Sequence, residues 1–156
     1  MTLNILNGDA LAERCTAAGL GAIEDHEAGT QRLQRGDFRG AAALFEKTLT
    51  RLPHFFAARD ALALAYLRLG EDDKALAAAA ALADPRRPSV AIGASAVRAL
   101  ALRWLGRDAE AEAALEELRA LSPTNEGSAV RLMEALTLAQ DPEGVLACAR
   151  RLRAAL

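Results

Sequence analysis

The chain has 156 residues and a formal net charge of −2, which arises from 19 basic and 21 acidic side chains. This length suits one compact domain or one short array of repeats, and the charge excludes the dense basic face of a nucleic-acid-binding protein. Hydrophobic residues make up 52% of the chain but aromatic residues only 4%, so much of the apolar content is alanine and leucine. These residues favour helices, and the lack of alternating β-branched residues predicts an all-α protein.

The first predicted element is a short helix over residues 8–18. Asp9 can serve as its N-cap, and Gly19 and Gly21 are expected to end it. A helix of this length is not stable alone. We therefore expect residues 1–21 to form a helical cap over the open apolar end of the helices that follow, or alternatively an interaction or dimerisation arm.

A layout of tight turn, helix and stop then recurs along the chain. The turns are marked by Gly36, Gly70, Gly106 and Gln140, at steps of 34, 36 and 34 residues. Three positions inside the following helix keep the same step: Ala41, Ala75, Ala111 and Val145; Phe45, Ala79, Leu115 and Ala149; Thr48, Leu82, Leu118 and Leu152. A fixed period of this length, built from paired helices, predicts a solenoid.

In chain order, the pattern predicts repeats near residues 22–55, 56–91, 92–125 and 126–156, each with two helices. Asp84-Pro85-Arg86-Arg87-Pro88-Ser89 interrupts this order and accounts for the two-residue insertion. Proline at both ends forbids a continuous helix there. The segment is expected to be a surface loop, with a basic contact point for an acidic partner as the alternative.

Short motifs within the repeats are similar to those of a known family. They are Leu62-Ala63-x-x-Tyr66 in the second copy, and Ala41-x-x-x-Phe45 followed by Pro53 in the first. On these residues the chain resembles tetratricopeptide repeat (TPR) proteins over about residues 22–156. The match departs where the family has an aromatic residue near the start of the first helix, since this chain has Asp25, Arg59, Ser95 and Ala129 there. The resemblance implies a right-handed superhelical solenoid of about four antiparallel helix pairs.

The resemblance also implies a concave groove lined by the first helix of each pair. Carried over by position, the lining residues are Ile23, His26, Thr30, Leu33 and Gln34; Ala57, Asp60, Leu64, Leu67 and Arg68; Ala96, Leu100, Arg103 and Trp104; and Val130, Glu134, Thr137 and Leu138. Arginine and tryptophan often dominate binding energy at interfaces. We therefore predict partner-binding residues at Arg68, Arg103 and Trp104 over an apolar floor of Leu64, Leu67 and Leu100, with inter-repeat packing as the alternative for Trp104 and plain solvated surface for the two arginines.

Catalytic and metal-binding chemistry is not expected. His26 and His54 are the only histidines, and neither has partners at metal-ligand spacing. No phosphate-binding, nucleophile-elbow or metalloprotease motif is present. The sequence thus predicts no catalytic residues, no metal, no cofactor and no enzyme activity.

Sequence features also bear on location. Cys15 and Cys148 are isolated and are expected to be free thiols, as in a reducing compartment. The amino terminus does not resemble a secretory signal, and the longest apolar run, Ala75–Ala83, is about half of a membrane span. We expect a cytoplasmic protein without a membrane span.

The predicted function is protein–protein interaction. The chain is expected to be an adaptor or scaffold that binds a peptide or helical segment of a partner in its groove. The positions with which one TPR subclass grips a chaperone's terminal carboxylate hold His26, Thr30, Ala61, Gly93 and Val97 here, so that ligand is not expected. The alternatives are a bacterial type III secretion-like chaperone, which has a similar size and layout, and a structural unit that forms a homodimer through its end helices.

Overall fold

The protein is built from helices joined by short turns. The computed structural model describes the backbone of residues 5–82, 88–121 and 126–155, and the side chains of residues 16–82, 91–121, 129–130, 132–151 and 153–154. Within this part of the chain there is no strand, and the helices are α1 (Ile5–Gln34), α2 (Phe38–Arg51), α3 (Phe56–Leu69), α4 (Asp72–Ala80), α5 (Pro88–Trp104), α6 (Asp108–Arg119), α7 (Glu126–Leu138) and α8 (Pro142–Ala155).

Consecutive helices pack as hairpins, and the hairpins stack in chain order. Turns of two or three residues separate α1 from α2, α3 from α4, α5 from α6 and α7 from α8, so the two helices of each pair run antiparallel. The first helices of the second, third and fourth pairs also touch, because α5 contacts both α3 and α7. The predicted all-α solenoid of paired helices is confirmed.

The turns inside the hairpins share one backbone geometry. Gly36, Gly70 and Gly106 have φ of 82°, 74° and 74°, and Gln140 has φ of 58°. At each turn this residue's amide donates to the carbonyl three residues back, and the next amide donates to the carbonyl five residues back. These are Schellman motifs, which satisfy the last carbonyls of a helix and favour glycine in the left-handed position. The periodic glycines therefore mark real turns, and Gln140 adopts the same conformation with a side chain.

The repeat positions that keep step along the sequence form the core. Ala41, Phe45 and Thr48 of α2 are each 0% exposed. Their counterparts in the second and third pairs are buried as well: Ala75, Ala79 and Leu82, which lies just after α4, and Ala111, Leu115 and Leu118 in α6. In α8 the pattern changes, since Val145 is half-buried and Ala149 is exposed. In the first three pairs, the residues at the positions of Val145 and Ala149 are covered by the first helix of the next pair.

The amino-terminal helix corrects one prediction. Gly19 and Gly21 do not end a short helix, because α1 continues through both of them as a single helix of 30 residues. A glycine inside a helix costs only about 1 kcal/mol relative to alanine, and packing against α2 offsets this cost. A Cβ at position 21 would lie 2.6 Å from Nη1 of Arg51, so Gly21 makes room for the guanidinium that pairs with Asp25 at 3.2 Å.

Two of the turns also carry an aspartate cap. Asp37 accepts from the amide of Gly40 at 3.0 Å and pairs with Nη1 of Arg32 at 3.0 Å. Asp141 accepts from the amide of Gly144 at 3.2 Å and is held by Nε and Nη2 of Arg119 at 2.7 and 3.1 Å. The second and third pairs have Glu71 and Arg107 at this position, without a side-chain cap.

Arginine side chains tie the last hairpin to the one before it. Nη1 of Arg103, in α5, donates to the carbonyl of Ala139 at 3.2 Å. Arg151, in α8, donates to the carbonyls of Arg119 and Leu121 at 3.1 and 3.4 Å. Together with the pairing of Arg119 and Asp141, these contacts join the carboxyl ends of α5 and α6 to the turn between α7 and α8 and to α8 itself.

Some sequence-based expectations lie outside the described residues. These are the Cys15 side chain, residues 84–87 of the predicted Asp84–Ser89 loop, the stop at Pro123 and the Leu152 side chain. The Asp9 prediction is wrong, because α1 begins at Ile5 and Asp9 lies inside the helix. Pro88 and Ser89 belong to α5 and not to a loop. Cys148 is described, and it is a free, buried thiol.

Candidate functional site

A cavity opens on the face formed by the first helices of the four pairs. It has a volume of about 220 Å³, and its lining comes from α1, α3, α5 and α7: Leu33, Asp60, Ala61, Leu64, Gly93, Val97, Glu134, Ala135 and Leu138. Second helices contribute none of these residues. The concave groove that the resemblance implied is therefore present as a continuous surface across the stack, and we call it the groove below.

The groove floor is apolar because small and branched residues alternate along it. Ala61, Gly93 and Ala135 leave the space, and the larger side chains Leu64, Val97 and Leu138 form its walls. Val97 is 2% exposed, whereas Leu64 and Leu138 are half-buried and pack against the core cluster that α3, α4 and α5 form. The floor of the groove is thus continuous with the core.

Two carboxylates interrupt this apolar lining. Asp60 is half-buried on α3 and also interacts within the chain, while Glu134 is exposed on α7. Both charged side chains on the wall of the cavity are therefore acidic. A ligand in the groove meets an apolar floor with negative charge on two of the four helices.

A second cavity of about 260 Å³ adjoins the first. It is lined by Leu33, Gln34, Gly36, Phe38, Leu64 and Arg68, and it shares Leu33 and Leu64 with the first cavity. The groove therefore continues from the carboxylates, across the two shared leucines, to the turn between α1 and α2. At that end the charged side chain is basic.

The predicted partner-binding residues fall into three groups. Leu64 and Arg68 line the groove, as expected for a contact surface. Leu67 and Leu100 do not form its floor, because they are 1% and 3% exposed within the core. They are buried because α5 has α3 on one side and α7 on the other, so that side chains between these helices are covered.

The two remaining predicted residues lie at the end of α5. Arg103 is half-buried and is engaged with the Ala139 carbonyl, so it has a structural role in the fourth turn. Trp104 is 48% exposed and lies outside the two cavities of the groove. Because Trp104 is exposed, a partner could contact it at the edge of the groove, but Trp104 does not form the groove floor.

Sequence reasoning missed several floor residues. On α5 the prediction chose Ala96 and Leu100, but Gly93 and Val97 line the cavity and Ala96 is 0% exposed. Ala61, Gly93 and Val97 did appear in the sequence analysis as the positions of a carboxylate clamp. Those positions face the groove by definition, so the family's clamp pattern was the signal that gave the correct register.

His26 is a packing residue. Its ring centroid lies 4.8 Å from that of Phe55 and 5.5 Å from that of Phe45, and its Nδ1 is buried without a hydrogen-bond partner. Burial lowers the pKa of His26, and the nearby Glu27 carboxylate opposes this only in part. The imidazole is therefore held neutral between two phenylalanines at the joint of the first and second pairs.

Other kinds of site were sought among the described residues. There, no group of three or more histidine, cysteine, aspartate or glutamate side chains is arranged to hold a metal ion. Within the same residues, no helix combines the length and the apolar character needed to cross a bilayer.

Comparison with known proteins agrees with the geometry. The model of a tetratricopeptide repeat family matches residues 32–100. Residues 32–100 contain tetratricopeptide repeats. A solved structure of a TPR-like protein from Chlorobium tepidum superposes with a TM-score of 0.58 at 22% sequence identity, covering 81% of this chain and 96% of that protein. At this identity the likeness concerns the fold alone. No curated protein matches the chain in sequence.

The family match spans the parts of the fold that form one side of the groove. Residues 32–100 run from the end of α1 to the last turn of α5. They include Leu33, Asp60, Leu64 and Val97, but not the α7 wall. TPR proteins act in general as protein-interaction modules.

Proposed function

We propose that the chain is an adaptor or scaffold that binds a peptide or helical segment of a partner protein in the groove. The observation that carries this proposal is the apolar cavity shared by α1, α3, α5 and α7. Its volume of about 220 Å³ is below the roughly 300–1,000 Å³ typical of small-molecule sites, and it suits one or two side chains of a chain laid along the groove.

The residues proposed to contact this segment are Leu64, which lines both cavities, Arg68, which lines the second, and Trp104, which lies outside them. A leucine that is half-buried in the free protein can be covered fully by a ligand without a change in the core. Arginine and tryptophan supply much of the binding energy in many interfaces. The exposed Arg68 and Trp104 fit this role, whereas Leu67 and Leu100 act through packing.

The proposal can be tested with a phage-displayed random-peptide library, followed by titration of the selected peptides. Leu64→Glu places a charge on the apolar floor and should weaken binding at least about tenfold. Leu121→Glu is the matched control, because Leu121 is 38% exposed and lies outside the groove. Circular dichroism checks that both variants keep the fold. Equal binding by the wild type and Leu64→Glu would refute a groove site.

A second candidate function is self-association through α8. Leu146 is 57% exposed, and Ala149 is exposed at a position that is buried in the first three pairs. In α2, α4 and α6 the corresponding face packs against the first helix of the next pair. In α8 this face is exposed and apolar. Sedimentation of the wild type should then show a dimer that Leu146→Glu disrupts and that Leu20→Glu leaves intact. A monomeric wild type at high protein concentration would exclude this function.

A further inference from the structure

The charges along the groove are arranged in a fixed order. Asp60 and Glu134 lie on the wall of the first cavity, and Arg68 lies on the wall of the second. Between them are Leu33 and Leu64, which belong to both cavities. A segment that places an apolar side chain on the two leucines therefore has carboxylates on one side of this anchor and a guanidinium on the other.

The carboxylates sit in surroundings that strengthen their effect on a ligand. A concave, apolar surface focuses the field of a charge more than a flat, hydrated surface does. Glu134 and Leu138 are four residues apart on α7 and so lie on the same face of that helix. The aliphatic stem of a lysine or arginine can lie along Leu138 and Ala135 while its charged end reaches the Glu134 carboxylate.

We propose that the groove selects segments in which a basic residue is a near neighbour of an apolar anchor. The basic residue lies beside Glu134 and Asp60, and the anchor lies on Leu33 and Leu64. This inference rests on the proposed groove function and adds the chemistry of the partner. It excludes acidic side chains and chain-terminal carboxylates from the first cavity, because like charges repel there.

Glu134 is the residue on which the test depends. Its side chain is exposed, so it can be changed with little effect on folding. Asp60 also interacts within the chain and is less suited to substitution. Glu143, in the first turn of α8, is an exposed glutamate outside the groove and provides the matched control.

The experiment uses the same random-peptide library with the wild type, Glu134→Gln, Glu134→Lys and Glu143→Gln. Peptides selected by the wild type should be enriched in lysine or arginine near an apolar residue. Their affinity should fall about two- to fivefold in Glu134→Gln, and at least about tenfold in Glu134→Lys. Glu143→Gln should bind as the wild type does. A library selected on Glu134→Lys should replace the basic residue with an acidic one.

The dependence on salt provides an independent measurement. Wild-type affinity for the basic peptides should fall as ionic strength rises, since the exposed pair is screened. This dependence should be weaker in Glu134→Gln than in Glu143→Gln.

The outcomes separate this inference from the function on which it rests. Selected peptides that carry no basic residue, or affinities that Glu134→Lys leaves unchanged, would overturn the inference alone, provided that Leu64→Glu still weakens binding at least about tenfold. If the wild type selects no peptides, or if Leu64→Glu binds them normally, the groove function and the inference fail together.

Discussion

The turn between α1 and α2 and the turn between α7 and α8 contain the same short pattern in different surroundings. Each has an aspartate cap, a glycine three residues later and an arginine paired with the aspartate. The Asp37 side chain is 49% exposed, whereas that of Asp141 is 4% exposed. The same motif is therefore a local helix cap where it is exposed, and it links two helix pairs where it is buried.

Removal of the two aspartates should show the largest difference. Asp141→Ala leaves the partly buried Arg119 without its main partner and removes the cap of α8, so it should cost about 3 kcal/mol of unfolding free energy. Asp37→Ala removes an exposed cap and an exposed ion pair, and should cost about 1 kcal/mol. Urea denaturation measures both values. Equal costs would contradict the role assigned to burial.

Substitution of the two glycines is the next largest effect. In Gly144→Ala the new Cβ would meet the Asp141 carboxylate and Cδ2 of Leu136, both buried, and should cost about 2 kcal/mol. In Gly40→Ala it would meet the carboxylate of Asp37 and the guanidinium of Arg32, which are exposed and can move. That variant should lose less stability in thermal denaturation. A larger loss in Gly40→Ala would reverse the comparison.

Acid should remove part of the same interaction. The Arg119 guanidinium holds the pKa of Asp141 below its usual 3.8, against the effect of burial. A group whose pKa is lowered by folding stabilises the protein fully above its unfolded value and loses this contribution as pH falls through its folded value.

The stability difference between the wild type and Asp141→Asn should therefore be constant above about pH 5 and shrink below pH 4. Denaturation curves across this range measure it, and the difference between variants removes the contribution of other groups such as His26. This effect should be smaller than that of Asp141→Ala, because a protonated carboxyl still fills the site. A difference that grows in acid would contradict the assignment.

The smallest predicted effect concerns the residue just before each aspartate. Gln140 has φ of 58°, where the first turn has Gly36 with φ of 82°. Gln140→Gly should relieve the strain of a left-handed side chain, offset by the greater freedom of glycine when unfolded, for a net gain of up to about 1 kcal/mol. Gly36→Gln should lose a similar amount. Calorimetry measures the change in unfolding free energy of both variants. A loss of stability in Gln140→Gly would show that the contacts of the glutamine side chain stabilise the protein by more than the backbone strain costs.

These comparisons also show what the sequence could predict. The turns at Gly36, Gly70 and Gly106 follow from local backbone chemistry, because a left-handed residue after a helix favours glycine wherever it occurs. The same reasoning failed at Gly19 and Gly21, since a glycine inside a helix is tolerated when packing compensates. At Gly21 a Cβ would lie 2.6 Å from Nη1 of Arg51, and this contact is not local in sequence.

The sequence predicted that the first helices form a groove, but it predicted only some of the residues that line it. Leu64 and Arg68 line it as expected. Ala61, Gly93 and Ala135 were not chosen, because the positions carried over from the resemblance placed other residues, such as Ala57 and Ala96, at the lining. Leu67 and Leu100 have the composition of a binding floor, but whether a leucine is covered depends on the neighbouring helix and not on its own repeat.

The arginines at the carboxyl end of the stack have a consequence for how the protein opens. In a repeat array a unit with a neighbour on one side only tends to fray first, and within the described residues the fourth pair is such a unit. Here Arg103, Arg119 and Arg151 all cross from the third pair to the fourth or back. Amide hydrogens of α7 should therefore exchange with solvent in step with those of α6, and Arg151→Met should let α8 exchange earlier than its neighbours. The fourth pair would then behave as part of a larger cooperative unit, which keeps the α7 wall of the groove in place.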